Sequence, residues 1–212
     1  MSGPTPALRV DRVVTAGVFS LDGADFEVEN NIWVVGDDAS VVVVDAAHDH
    51  RPIAAAVAGR QVELVVCTHG HNDHINAALD LAVAVDAPVA LHPADRMLWD
   101  VVHPDRAPDV ELAHGDVVGR AGGGLRVVHT PGHSPGGVCL VGDGAVFSGD
   151  TLFAGGPGAT GRSWSDFPTI VESIRTRLLT LPPETIVHTG HGDDTSIGAE
   201  APHLQEWLDR GR

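Results

Sequence analysis

Lysine and tyrosine are absent from this chain of 212 residues; all 13 basic residues are Arg. Every Lys- or Tyr-dependent mechanism is therefore excluded. Lys and Tyr codons are AT-rich, whereas Ala, Gly, Val and Arg abound, which points to a GC-rich genome. Cysteine is scarce too. Cys67 and Cys139 each sit in an apolar, strand-like run, and two core thiols in a reducing cytoplasm fit better than a disulfide. No apolar stretch is long enough to span a bilayer. The run Val41–Val44 ends at Asp45 and reads as a buried strand, and Met1–Pro6 lacks the basic and apolar regions of a signal peptide. A membrane partner is not expected.

Positive charge is also in short supply. The formal net charge is -16 and the pI is near 5.0. Such a surface repels polyanions and argues against a nucleic-acid partner. It is compatible with bound cations, which would offset part of the charge locally.

The length suits one compact domain spanning 1–212, because no linker, repeat or low-complexity stretch divides it. Hydrophobic patterning predicts strands at 31–36, 40–45, 64–67, 88–91, 125–128, 137–141, 145–148 and 185–188. It predicts helices at 51–58, 75–85, 93–101, 167–180 and 199–210. Early strands joined by short turns, followed by strands alternating with helices, predict an α/β (α+β) fold of two mixed sheets with helices outside.

Residues with metal chemistry follow strands. His69-Gly-His71-Asn-Asp73-His74 places four potential ligands within six residues. Imidazole and carboxylate coordinate Zn, Fe or Mn, and six residues cannot wrap four side chains around one ion, so two adjacent ions fit better. His133 lies on a constrained Pro-Gly-His-Ser-Pro-Gly-Gly turn, Asp150 ends an apolar strand, and His191 stands between glycines after another strand.

The order His69-x-His71-x-Asp73-His74, His133, Asp150, His191 resembles the ligand set of the metallo-β-lactamase superfamily, and most closely its glyoxalase II branch. The likeness runs from about residue 31 to 200 and includes Gly149-Asp150-Thr151-Leu152-Phe153 and Gly190-His191-Gly192. It implies a four-layer αββα sandwich with the site at one edge of the sheets. It also implies two divalent metal ions, zinc first with iron or manganese as alternatives. His69, His71 and His133 would hold one ion; Asp73, His74 and His191 would hold the other. Asp150 would bridge them, so Asp73 and Asp150 count as catalytic too. Asp45 would orient a ligand rather than bind metal.

The implied reaction is hydrolysis of a small-molecule substrate by a metal-bridging hydroxide. A thioester is favoured, since a thiolate whose parent thiol has a pKa near about 8.5 leaves without a strong general acid. Glyoxalase II enzymes carry a C-terminal helical domain that grips glutathione, and only 21 residues follow His191 here. The expected substrate is thus a thioester of another low-molecular-weight thiol, an S-acyl- or S-formyl-mycothiol being the candidate. The alternatives are a mononuclear-iron persulfide dioxygenase, a lactone or other ester hydrolase, and a metal-binding protein without activity. Arg162 is either a substrate contact or a surface ion pair; His50, placed with His48 near the site mouth, is the other candidate substrate contact. The oligomeric state, monomer or homodimer, is left open.

Overall fold

A computed structural model describes residues 8–211; Met1–Pro6, read above for targeting features, lies outside them. Six strands form the first sheet in chain order: β1 (Arg9–Leu21), β2 (Ala24–Gly36), β3 (Ser40–Val44), β4 (Gln61–Val66), β5 (Val89–Leu91) and β6 (Val110–Glu111). Pairing is antiparallel from β1 to β3 and parallel from β3 to β6. The second sheet holds β7 (Val117–Val118), β8 (Leu125–His129), β9 (Val138–Gly142) and β10 (Ala145–Gly149). A small ladder of β11 (Leu152–Phe153) and β12 (Gly156–Pro157) follows, before β13 (Ile186–Thr189) and β14 (Thr195–Ser196) complete that sheet in the order β14-β13-β10-β9-β8-β7.

Side-chain alternation assembles the layers. In β2 and β3, Ile32, Val34, Val41 and Val43 face helices α1 (His50–Val57) and α3 (Ala78–Val85), the latter following the single turn α2 (Asn72–Ile75). Trp33, Val35, Val42 and Val44 point the other way, onto Leu125, Val127, Leu140 and Phe147 of the second sheet. The Val41–Val44 run is apolar throughout because both of its faces are covered. The far face of the second sheet, with Cys139, Val146 and Val187, packs on Ile170 and Val171 of α5 (Phe167–Ser173), on Ile197 of α6 (Ile197–Glu200) and on Trp207 of α7 (Leu204–Arg210). The result is the expected four-layer αββα sandwich. Both cysteines are free, buried thiols. Among the described residues no helix is long and apolar enough to cross a membrane.

Several elements depart from the sequence reading. β1 and the first half of β2 were not expected. They form a long hairpin closed by Asp22-Gly23, both with positive φ, the Asp-Gly turn that matches strand twist. The helix expected at 75–85 is split, because the Ala77 amide donates to Ala46 O instead of continuing the turn. The helix at 93–101 begins as a 3-10 turn, 93–95, before Arg96–Val102. The helix at 167–180 changes to a π-helical turn over Ile174–Leu178. The 199–210 stretch becomes two helices around a 3-10 turn that contains Pro202, which has no N–H to continue an α-helical ladder.

Candidate metal centre

Strands β3 and β4, and likewise β10 and β13, run parallel, so their C-terminal ends share an edge where loops can converge. Asp45 follows β3, the 69–74 segment follows β4, Asp150 follows β10 and His191 follows β13. His133 sits on the β8–β9 turn. His71 is extended at the start of α2, and that single turn redirects the chain so Asp73 and His74 aim at a second point.

The ring nitrogens face one another. His71 Nδ1 lies 3.0 Å from His69 Nε2 and 2.9 Å from His133 Nε2, while His74 Nε2 lies 3.2 Å from His191 Nε2. Two nitrogens bound to one tetrahedral Zn are about 3.3 Å apart, so these lone pairs are spaced for a shared cation. Asp150 spans the two groups: Oδ1 is 3.3 Å from His74 Nε2, and Oδ2 is 3.5 Å from both His133 Nε2 and His191 Nε2. Among the described residues three trios could each hold a metal ion: His69, His71, His133; His69, His74, Asp150; and Asp73, His74, His191. Asp73 Oδ1 and Asp150 Oδ1 are buried without a hydrogen-bond partner. Buried carboxylate oxygens left this way are costly unless a cation meets them, and the donor set fits one.

Four of the five opposite ring nitrogens are tethered; His71 turns Nδ1 to the centre, and its Nε2 is buried without a hydrogen-bond partner. His74 Nδ1 meets Asp45 Oδ2 at 2.9 Å, His133 Nδ1 meets Ala159 O at 2.8 Å and His191 Nδ1 meets Glu29 O at 2.7 Å. Thr68 donates its hydroxyl to Asp45, leaving Oγ1 to accept from His69 Nδ1 at 3.1 Å. Each tether puts the proton on Nδ1 and bares Nε2 for the centre.

Electrostatics divide the histidines. Burial, reinforced by neighbouring imidazoles, pushes the pKa of His69 well down and that of His71 to about 3. Burial also acts against charge on His74 and His191, but Asp150 and Asp73 outweigh it, raising His74 well above its usual value and His191 to about 10. Burial would lift the Asp150 carboxyl; His74 and His191 overcome it and hold the group well below its usual range.

All seven expected ligands therefore converge, and Asp45 stands behind His74 as anticipated. Arg162 comes to the mouth: with Phe19, Leu21, Ser163 and Ser165 it lines a small slot that reaches His71 and His133. Its guanidinium lies 4.5 Å over the Phe26 ring. His50 opens α1, and no hydrogen bond links it to the convergent ligands; His48 is the residue drawn in, through Asn30. Burial lowers its pKa.

Two contributors escaped the sequence reading. Asp95 is buried, and its carboxylate accepts from Gly70 N, Ser134 Oγ and Gly136 N. It ties the His69–His71 segment to the His133 turn. Gly190, read above only as a flank of His191, is the other in its role, because a Cβ there would lie 2.3 Å from Asp150 Oδ1. Only glycine lets β13 pass so close.

The family model described as the Metallo-beta-lactamase superfamily matches residues 26–191. The chain belongs to that superfamily. Superfamily members bind divalent metals, and this one is a metallohydrolase with glyoxalase II-like relatives. It is 33% identical to the hydroxyacylglutathione hydrolase of Acidiphilium cryptum over 88% of this chain and 74% of that one. Among solved structures it resembles BLEG-1, a B3 metallo-beta-lactamase, at TM-score 0.76 and 27% identity, over 91% of this chain and 99% of that one. It also resembles TTHA1623 in a di-iron-bound form, at TM-score 0.73 and 34% identity, over 82% of this chain and 93% of that one.

Proposed function

We propose that this superfamily member is a two-metal hydrolase acting on a thioester of a low-molecular-weight thiol. The observation that carries the reading is the pair of donor trios meeting at Asp150. In this reading His69, His71 and His133 would hold one ion and Asp73, His74 and His191 the other, with Asp150 between the two trios. Bound there, two divalent cations supply Lewis acidity and a water deprotonated near neutral pH. Zinc suits these nitrogen and oxygen donors; the di-iron form of a relative keeps iron in view.

The chain's own groups set the rest. Tethered imidazoles hold the centre rigid, and the slot beside His71 and His133, with Phe19 and Leu21 as one wall, offers an apolar surface for a small acyl group. Arg162 gives the slot's rim a cation for the carboxylates of glutathione or a hydrogen-bond donor for the hydroxyls of the uncharged mycothiol. Apart from the two histidines of the trios, the slot is lined by Phe19, Leu21, Ala159, Arg162, Ser163 and Ser165, none of which is a proton donor suited to an amine leaving group. A thiolate needs none, which favours a thioester over an amide or β-lactam.

The test combines metal content with turnover of acyl-glutathione and acyl-mycothiol thioesters, a lactone, a chromogenic β-lactam and a glutathione persulfide. Two equivalents of metal and thiol release without oxygen uptake are expected. One iron with oxygen consumed on the persulfide would overturn the reading in favour of a dioxygenase.

A further inference from the structure

His48 lies in the loop between β3 and α1, outside both donor trios, yet β1, β2 and the residue that follows α2 converge on it. It holds φ +60°, a left-handed conformation uncommon for a residue with a side chain. Gly17 of β1 passes so near that a Cβ would come 2.1 Å from His48 Nδ1. Such a strained, closely covered ring calls for a reason.

The reason is in the direction of its hydrogen bonds. The backbone N–H of His48 donates to Asn76 Oδ1 at 2.6 Å. A backbone amide can only donate, so Asn76 Oδ1 is the acceptor and Asn76 Nδ2 must be the atom facing His48 Nδ1, 3.2 Å away. His48 Nδ1 therefore accepts, and the ring proton sits on Nε2. Nε2 in turn donates to Asn30 Oδ1 at 2.8 Å. With its oxygen taken, the fully buried Asn30 amide has to present its NH2 to Asp73 Oδ2 at 3.1 Å, beside His74 Nε2 at 3.3 Å and His191 Nε2 at 3.5 Å. One backbone N–H thus sets the polarity of the whole chain of bonds from Asn76 through His48 and Asn30 to Asp73. Were the Asn30 amide reversed, its oxygen would face the Asp73 carboxylate and be repelled.

We propose that His48 is a positioning residue that locks the Asn30 amide as a donor to Asp73 and so sets the affinity of the Asp73–His74–His191 site without touching that of the His69–His71–His133 site. The inference rests on the two-metal reading above. Partners standing behind metal ligands alter affinity by about 10- to 100-fold when removed.

The experiment is a stepwise Zn²⁺ titration of the full apo chain against a competing chromophoric chelator, run beside the apo melting temperature. His48→Phe keeps the ring and loses its nitrogens. It is expected to leave the first ion at wild-type affinity and weaken the second by about 10- to 100-fold. His48→Gln, which retains an N–H, is expected to recover part of that loss. Asn76→Ala removes only the group that sets the ring's tautomer, and a smaller loss confined to the second ion is expected. A purely structural role would lower the apo melting temperature and weaken both ions together, and that result overturns the proposal. Wild-type second-ion affinity in His48→Phe, or in Asn76→Ala should His48→Phe not fold, overturns it as well. A wild-type chain that takes up only one ion defeats the two-metal reading itself, a distinct result that takes this inference with it.

Discussion

Asp95 shows how one side chain can hold two loops in register. Its carboxylate satisfies three donors on segments 39 and 41 residues downstream and 25 upstream. Asp95→Asn turns one acceptor into a donor facing N–H or O–H groups, at a cost of about 1–3 kcal/mol. The urea midpoint should fall accordingly, and metal affinity at His69, His71 and His133 should fall with it. An unchanged midpoint would mean that the loops are held by other contacts. His92 makes a prediction about acid. It stacks on His129 at a centroid distance of 4.1 Å, and burial first, then the His129 charge, push its pKa to about 4. In the unfolded chain it titrates near about 6.5. As pH falls from 6.5 towards 4, the unfolded state takes up a proton the native ring refuses, so this stabilisation is complete above 6.5 and is lost below. Chemical denaturation across that window should show a shallower decline for His92→Gln than for the wild type; parallel declines would remove His92 as a cause.

At the scale of elements, the β1–β2 hairpin matters most for substrate. Its Phe19 and Leu21 form one wall of the slot, and its end is tied to the opposite loop by the Asp22 carboxylate on Ser163 N at 3.0 Å and by Phe26 under Arg162. Phe26→Ala should release Arg162 and raise KM several-fold with kcat nearly unchanged, the pattern of lost uniform binding. A kcat that falls with KM constant would contradict that role. This hairpin was illegible in the hydrophobic pattern because β1 is only half covered, its buried and exposed positions grading into one another. The Asp22-Gly23 turn between alternating apolar residues was the available signal. The ligands were legible for the opposite reason: polar groups ending apolar strands stand out, and a sheet edge collects strand ends. Asp95 and His48 carry no such mark. An Asp two residues after Pro93 looks like a helix-start residue, and the partners of both lie far off in sequence. The long helices expected at 167–180 and 199–210 were broken by a π turn and by Pro202, local events that a window-wide period averages away.

For the whole molecule, ligand burial ties metal to stability. Two carboxylates and four imidazoles of the centre come from loops of both sheets, with a further histidine on the β8–β9 turn, so ions bound there fasten one sheet edge to the other. Ions that bind only the native state add about 2.7 kcal/mol at a hundredfold excess over Kd. At about 2–4 °C per kcal/mol for a chain of this size, chelation should lower Tm by several degrees, seen by calorimetry with and without EDTA. An unchanged Tm would show that the trios are empty in the native protein. The most direct test of the central claim is thiol release from S-acyl thiols by the protein carrying two equivalents of metal, measured before and after chelation. The account predicts stoichiometric thiol and carboxylic acid, lost on chelation, restored by Zn²⁺ and absent in Asp150→Asn. Failure of the two-metal protein to release thiol from any member of the panel would contradict it.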